Sequence, residues 1–265
     1  ALNASIGATG GTVDLVADTG AVTIAAAGDI TAGGDVNLTG ATVINTAGDV
    51  TATGFNVNYN SATTLTGDVD IDTGAGIGTI TFANTLDATV AETLDLDAGT
   101  GNIDFDGVVG GVTRLGAMTI ADAGDVTADF AITAASFVQT DGSGTTTFTG
   151  AVDTNAAAGV NVTNDAIALD NTINTTTGGT VDLVADTGAV TIAALGDITA
   201  DGAVNLTGAT GINTAGDVTT TNDDVTYNSA TTLTGNVDID TGAGAGTITF
   251  ANTLDATVAE TLDLD

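Results

Sequence analysis

The residues best suited to chemistry in this chain are carboxylates that alternate with apolar side chains. The clearest case is the segment Asp68-Val69-Asp70-Ile71-Asp72. Successive side chains of an extended strand point to opposite faces, so the three carboxylates share one face and the two apolar residues share the other. Oxygen ligands at this spacing suit Ca²⁺. The segment therefore predicts a calcium site on the outer face of a strand.

The pattern returns later in the chain as Asn236, Asp238 and Asp240. The other interpretation of both segments is a solvated outer face that keeps a hydrophobic strand soluble, and the sequence leaves the two open. The same pair of interpretations applies to Asp95, Asp97, Asp104 and Asp106. No cofactor other than Ca²⁺ is expected, and its predicted ligands are Asp68, Asp70, Asp72, Asp238 and Asp240.

The composition argues against most enzyme chemistry. The 265 residues include no His and no Cys, and the only basic side chain is Arg114. Most acid–base, nucleophilic and Schiff-base mechanisms therefore lack their participants. Paired carboxylates could hydrolyse glycosides, but sugar sites usually also need aromatic platforms, and aromatic residues are 3% of the chain. We expect no catalysis, with a carboxylate glycosidase as the remote alternative.

The net charge of −33 restricts the possible partners. Nucleic acids and anionic membrane surfaces require clustered Lys or Arg and are excluded. No uncharged apolar run reaches the roughly 18 residues of a membrane helix, so no membrane span is expected. Carboxylates stacked about 4.8 Å apart repel by about 0.9 kcal/mol per pair even in water. We therefore expect cations to be partners, with stability that rises with Ca²⁺ or salt.

A long internal repeat organises the chain. Residues 10–97 return at 178–265, shifted by 168 positions without insertion or deletion, and 11 of the 88 paired positions differ. A repeat of this length is typical of arrays in which each unit packs on its neighbours. The intervening residues 98–177 show the same succession of short strand segments and turn residues. We therefore predict a single continuous solenoid over 1–265.

Short alternating segments such as Val13-Asp14-Leu15 and Ile80-Thr81-Phe82 predict strands, and Gly, Asp and Asn clusters between them predict turns. Twelve strand starts between residues 13 and 94 give a mean spacing of about 7 residues. Three such strands make a coil of about 21–22 residues, and 168 divides into eight coils of 21 or seven of 24. The predicted fold class is all-β, a parallel right-handed β-solenoid (β-helix), because parallel crossovers are right-handed. The predicted core comprises residues that both copies share: Val13, Leu15, Val22, Ile24, Val69, Ile71, Ile80 and Phe82.

A recurring Gly-Asp-Val/Ile-Thr phrase, at 28–31, 48–51, 124–127, 196–199 and 216–219, resembles the repeats of large bacterial exoproteins. The resemblance is to the filamentous-haemagglutinin and autotransporter-adhesin class, whose coils form a right-handed β-helix. It implies a secreted or cell-surface fibrous stalk involved in adhesion or matrix.

The expected function is therefore a structural segment of an extracellular fibre without catalysis. The alternative is a binding module, an adhesin that recognises glycans or ice. Natural arrays cover their end coils with capping repeats, charges or a helix. Neither end of this sequence carries one, so we expect association of the chain with itself, end to end or through continuation in a longer polypeptide.

Overall fold

The computed structural model describes residues 1–265 and contains strands and turns but no helix. The chain divides into two compact units. The first comprises 1–135 and 141–143, and the second comprises 136–140 and 144–265. Both units are parallel β-solenoids with about 22 residues per turn. The predicted fold class is thus confirmed as an all-β parallel solenoid.

The first unit has three columns of parallel strands, and the chain visits them in turn, which makes each coil three-sided. Twelve strands start between residues 13 and 94, as the sequence predicted. The first column contains β2 (Val13–Ala17), β5 (Val36–Gly40), β8 (Val57–Tyr59), β11 (Ile80–Phe82), β14 (Ile103–Phe105) and β16 (Val126–Ala128). The second contains β3 (Val22–Ile24), β6 (Ile44–Thr46), β9 (Thr63–Leu65) and β12 (Leu86–Ala88). The third contains β1 (Ile6–Ala8), β4 (Ile30–Ala32), β7 (Val50–Thr51), β10 (Val69–Asp72), β13 (Leu94–Asp97) and β15 (Leu115–Ile120).

The second unit is built in the same way, and β17 (Ile132–Gln139) contributes residues to both units. One column contains β18 (Thr145–Phe148), β21 (Ala166–Leu169), β24 (Ala189–Ile192), β27 (Gly211–Thr214), β30 (Thr231–Leu233) and β33 (Leu254–Ala256). Another contains β20 (Val160–Asn164), β23 (Val181–Ala185), β26 (Val204–Gly208), β29 (Val225–Tyr227) and β32 (Ile248–Phe250). The third contains β19 (Val152–Thr154), β22 (Ile173–Thr175), β25 (Ile198–Ala200), β28 (Val218–Thr220), β31 (Val237–Asp240) and β34 (Leu262–Leu264).

The coils vary in length. The length of a coil is the number of positions between two residues that pair in adjacent coils. Val13 pairs with Val36, which gives a coil of 23 residues. The same count gives 19 for Thr46 and Leu65 and 25 for Ile71 and Leu96. The predicted mean of 21–22 residues is therefore close. A uniform coil of 21 or 24 residues is not observed, because the corners absorb different numbers of residues.

The core is a set of apolar columns in register from coil to coil. The rings of Tyr59, Phe82 and Phe105 stack with centroid distances of 4.8 and 5.6 Å. Stacked rings in this offset range add to the stabilisation that burial provides. Of the predicted core residues, only Leu15 is partly exposed, whereas its counterpart Leu183 is fully buried. The predicted core is thus confirmed in the first unit apart from that position. In the second unit Ile248 and Phe250, the counterparts of Ile80 and Phe82, are only half-buried.

The Gly-Asp-Val/Ile-Thr phrase forms a corner and the start of a strand. In residues 48–51, a Cβ on Gly48 would lie 2.8 Å from Cγ2 of Ile24 and 3.0 Å from the carbonyl oxygen of Ala25, so only glycine fits without a shift. The Val50 side chain is buried in the core. The Asp49 side chain, which precedes it, stays exposed. The phrase therefore places one carboxylate outside each coil that carries it.

Candidate functional site

The candidate site is an acidic groove on the outer face of β10 and β13 in the first unit. The register of these two parallel strands places Asp70 opposite Asp95 and Asp72 opposite Asp97. The four carboxylates line a shallow groove of about 330 Å³ together with Leu96, Thr119 and Ala121. Two carboxylate columns therefore run side by side across adjacent coils.

Corner residues of earlier coils extend the column that contains Asp70. The backbone amide of Asp70 donates to Oδ1 of Asp49 at 2.9 Å, and the amide of Asp49 donates to Oδ1 of Asp29 at 3.1 Å. Each of these carboxylates thus accepts a hydrogen bond from the next coil. Hydrogen bonds of this kind to an ionised acceptor are stronger than neutral ones, which offsets part of the repulsion between the coils.

The second unit repeats this arrangement. The register places Asp238 opposite Asp263, and the amide of Asp238 donates to Oδ1 of Asp217 at 2.8 Å. The amide of Asp217 in turn donates to Oδ1 of Asp197 at 3.0 Å. Asp240 follows on the same strand and accepts a hydrogen bond from the amide of Gly242 at 2.6 Å. The carboxylate columns are therefore present in both copies of the repeat.

Asp68 has a different role from its two neighbours. Its Oδ1 accepts a hydrogen bond from the amide of Thr93 at 2.8 Å. The counterpart Asn236 accepts the equivalent bond from Thr261 at 2.9 Å. An amide oxygen can accept this bond in place of a carboxylate oxygen, so the contact is kept although the two copies differ here. The side chains of Asp68 and Asn236 thus each form a hydrogen bond that links two adjacent coils.

Burial and neighbouring charges raise the pKa values of two carboxylates in the columns. Burial raises the pKa of Asp70 above its ordinary value of 3.8, and four nearby carboxylates raise it further: Asp49, Asp95, Asp72 and Asp97. The pKa of Asp238 is raised in the same way, first by desolvation and then by its own four neighbours, Asp263, Asp217, Asp265 and Asp240. Like charges disfavour the ionised form, so the columns store repulsion at neutral pH.

The columns could attract cations, but no three acidic side chains converge in the manner of a metal site. Some oxygens are already committed to the backbone, since the amides of Gly74 and Gly99 donate to Oδ1 of Asp72 at 2.5 Å and of Asp97 at 3.0 Å. The predicted calcium ligands Asp70 and Asp72 do lie together, while Asp68 points to Thr93. Calcium binding stays a prediction, and diffuse screening by salt is the other way in which cations could stabilise the columns.

The sequence prediction missed Asp29 and Asp49 as members of the column. The signal that could have found them is the Gly-Asp-Val/Ile-Thr phrase, which places its carboxylate at a strand start in residues 28–31 and 48–51. Arg114, the single cation, is half-buried, and its Nη1 donates to the carbonyl oxygen of Ala134 at 2.7 Å. It therefore fastens a loop to the following coil.

Comparison with family models, with curated proteins and with solved structures finds no match to this chain. No helix in the structure is both long and apolar enough to cross a membrane.

Proposed function

We propose that this chain is a structural segment of an extracellular or cell-surface fibre, held together by the stacking of β-coils and without catalytic activity. The resemblance of its repeats to filamentous-haemagglutinin and autotransporter-adhesin stalks supports this proposal. The single observation that carries it is the apolar face of the coil formed by residues 245–265. Its residues match those of 77–97, a coil that is covered in the first unit, at every position except Ala245, where that coil has Ile77.

The exposure of matched residues makes the comparison direct. Leu254 and Leu264 are 41% and 48% exposed. Their counterparts in the first copy, Leu86 and Leu96, are 0% and 2% exposed. Burying a Leu side chain stabilises a protein by about 1.5–3 kcal/mol, so covering this face is strongly favourable.

The first unit also shows what kind of surface covers such a coil. Leu86 bridges to Val109, and Leu94 and Leu96 pair with Met118 and Ile120 in parallel register. The covering element is thus another parallel coil with apolar residues at matching positions. We infer that a second molecule of this chain can stack a coil of this kind on the face of 245–265.

The net charge of −33 opposes such stacking between separate molecules. In the first copy, Asp95 is the counterpart of Asp263 and lies opposite Thr119 of the covering coil, so the repulsion comes from the overall charge of the two molecules and not from facing carboxylates. Salt and Ca²⁺ weaken this repulsion, since the Debye length falls to about 10 Å at 0.1 M ionic strength. Assembly is therefore expected to grow with ionic strength and with divalent cations.

Sedimentation and electron microscopy of the purified chain test the fibre proposal. We expect end-to-end oligomers or filaments in high salt or Ca²⁺, and fewer in low salt with chelator. Leu264→Asp places a charge on the stacking face and should abolish the oligomers. Leu195→Asp is the matched control because Leu195 is 71% exposed in a turn, where the first copy has Ala27. Monodisperse monomers of the unaltered chain under every condition would contradict assembly through this face.

The cell-surface location has its own test. Antibodies against the folded chain should label intact cells of the source organism, with a known cytoplasmic protein as the control for lysis. Labelling only after the cells are broken would contradict the surface location and leave the coil-stacking result unaffected.

A further inference from the structure

A second groove lies at the corner that follows β11, β14 and β16 in the first unit. Three successive coils contribute to it: residues 83–85, residues 106–108 and Phe130. The groove has a volume of about 280 Å³. None of the acidic columns takes part in it. Its lining combines an aromatic ring with polar side chains, a mixture that small-molecule sites commonly show.

The middle coil forms the floor of the groove through Gly107. A Cβ at this position would overlap the backbone carbonyl carbon of Asn84 and lie 2.7 Å from the amide nitrogen of Thr85. Glycine therefore lets the middle coil lie flat against the coil before it. The recess stays open above this buried backbone, between the flanking side chains.

One wall of the groove is the ring of Phe130, which is 52% exposed. Most of the large aromatic side chains of this chain are used in the core, as the buried stack of Phe82 and Phe105 shows. Phe55, at another corner, is a second exposed ring, at 43%. Phe130 differs from Phe55 in that it lines a groove with polar groups opposite.

The polar side chains of the groove provide both donors and acceptors. Oδ1 of Asn84 accepts a hydrogen bond from the amide of Thr85 at 2.9 Å, which fixes the side chain and leaves its NH₂ group to donate outward. The exposed carboxylate of Asp106 can only accept, and the hydroxyl of Thr85 can do both. A ligand with several hydroxyl groups on one edge and an apolar face can satisfy all of these groups at once.

We propose that this groove binds one neutral hexopyranose unit of a glycan, with the C–H face of the sugar against the Phe130 ring. The sugar hydroxyl groups would donate to Asp106 and accept from Asn84 and Thr85. An acidic sugar is disfavoured because the groove is negatively charged. Burial raises the pKa of Asp104, and the charges of Asp106, Asp129 and Asp125 raise it further. This site lies on the side of the coils and does not depend on the fibre proposal.

Titration of the full chain with D-galactose, D-glucose and D-mannose, followed by saturation-transfer NMR, tests the site. A single sugar unit in a shallow groove should bind with a dissociation constant on the order of 1 mM. At least one of the three sugars should bind, and Phe130→Ala should weaken it by about tenfold or more. Asp106→Asn should also weaken it, because the amide offers one acceptor oxygen in place of two.

Phe55→Ala is the matched control, since it removes an exposed ring of the same type outside the groove and should leave sugar binding unchanged. Phe130→Tyr keeps the ring and should retain binding. Circular dichroism of each variant checks that the coils are intact. The proposal is overturned if none of the three sugars binds, if Phe55→Ala weakens binding as much as Phe130→Ala does, or if only an anionic sugar such as sialic acid binds.

Discussion

Asp70 and Asp95 lie directly opposite each other on adjacent parallel strands, with no basic residue among the groups that line their groove. Adjacent parallel strands lie about 4.8 Å apart, and this spacing separates side chains in register from coil to coil. The repulsion between two carboxylates at this spacing is about 0.9 kcal/mol in water and grows where water is partly excluded. The fold therefore tolerates a local cost that the apolar columns inside the coils offset.

Neutralising this column should stabilise the protein. We expect Asp70→Asn to raise the free energy of unfolding by about 0.5–1 kcal/mol at neutral pH in low salt, and by less in high salt. Its side chain accepts no hydrogen bond in the structure that the change would remove. Chemical denaturation at two salt concentrations measures the effect.

Asp182→Asn is the control for this variant. Asp182 stands between Asn161 and Asn205 in register, and burial alone raises its pKa. Any stabilisation from Asp182→Asn should therefore be the same at both salt concentrations. A gain from Asp70→Asn that does not change with salt would contradict repulsion as its cause.

Stability should increase as the pH falls from neutral toward the raised pKa values. The pKa values of Asp70, Asp104 and Asp238 are raised above 3.8 in the folded protein, so the folded state binds protons more tightly than the unfolded state does. Stability is then lowest above these raised values, rises as the pH falls through them and gains nothing more below 3.8. Asp224 opposes this trend, because hydrogen bonds from Thr247 lower its pKa and that stability is lost in acid.

Thermal melting between about pH 7 and pH 4 measures this balance. We expect a higher melting temperature at the lower pH, and a smaller difference in the Asp70→Asn variant. A melting temperature that falls steadily from neutral pH would show that carboxylates with lowered pKa values dominate.

The ring of Tyr227, and not its hydroxyl group, is expected to stabilise the second unit. The hydroxyl oxygen is buried without a hydrogen-bond partner, while the ring stacks on Phe250 at 4.7 Å. Tyr227→Phe keeps the ring and removes an unsatisfied group, so the free energy of unfolding should stay equal or rise by up to about 1 kcal/mol. Tyr227→Ala should cost about 3–5 kcal/mol. A loss of more than about 1 kcal/mol in Tyr227→Phe would reveal a bound water as partner.

The corner glycine of the repeated phrase should be intolerant of a side chain. Gly48→Ala brings a Cβ within 2.8 Å of Ile24 and should cost about 1–3 kcal/mol in denaturation experiments. Gly10→Ala is the control, since nothing lies within 4 Å of its added Cβ. Equal effects of the two substitutions would mean that the close corner contact has no role in stability.

The sequence predicted the three-sided parallel architecture because two local signals agree throughout. Alternation around residues such as Val69 and Ile71 requires strands, and the frequent turn residues keep those strands short. Register could not be predicted, because it depends on how many residues each corner holds. The corner between Asp72 and Ile80 holds seven residues, whereas that between Thr51 and Val57 holds five.

The candidate sites likewise combine features that local alternation predicts with features that depend on register. Asp70 and Asp72 were predicted to share a face, and they do, since alternation alone decides that. The contact of Asp49 with Asp70, and the groove beneath Phe130, each arise where separate coils meet. Such features depend on register and corner length, which single strands do not encode.

The most direct test of the coil-stacking proposal is to give the face of 245–265 the coils that cover its counterpart. In the first copy the amides of Ile80 and Leu86 donate to the carbonyl oxygens of Asn102 and Val108. We would append a second copy of residues 98–135 after Asp265 and follow amide hydrogen exchange by NMR. The proposal predicts that the amides of Ile248 and Leu254 become as protected as those of Ile80 and Leu86. Unchanged, fast exchange at Ile248 and Leu254 in the extended chain would contradict it.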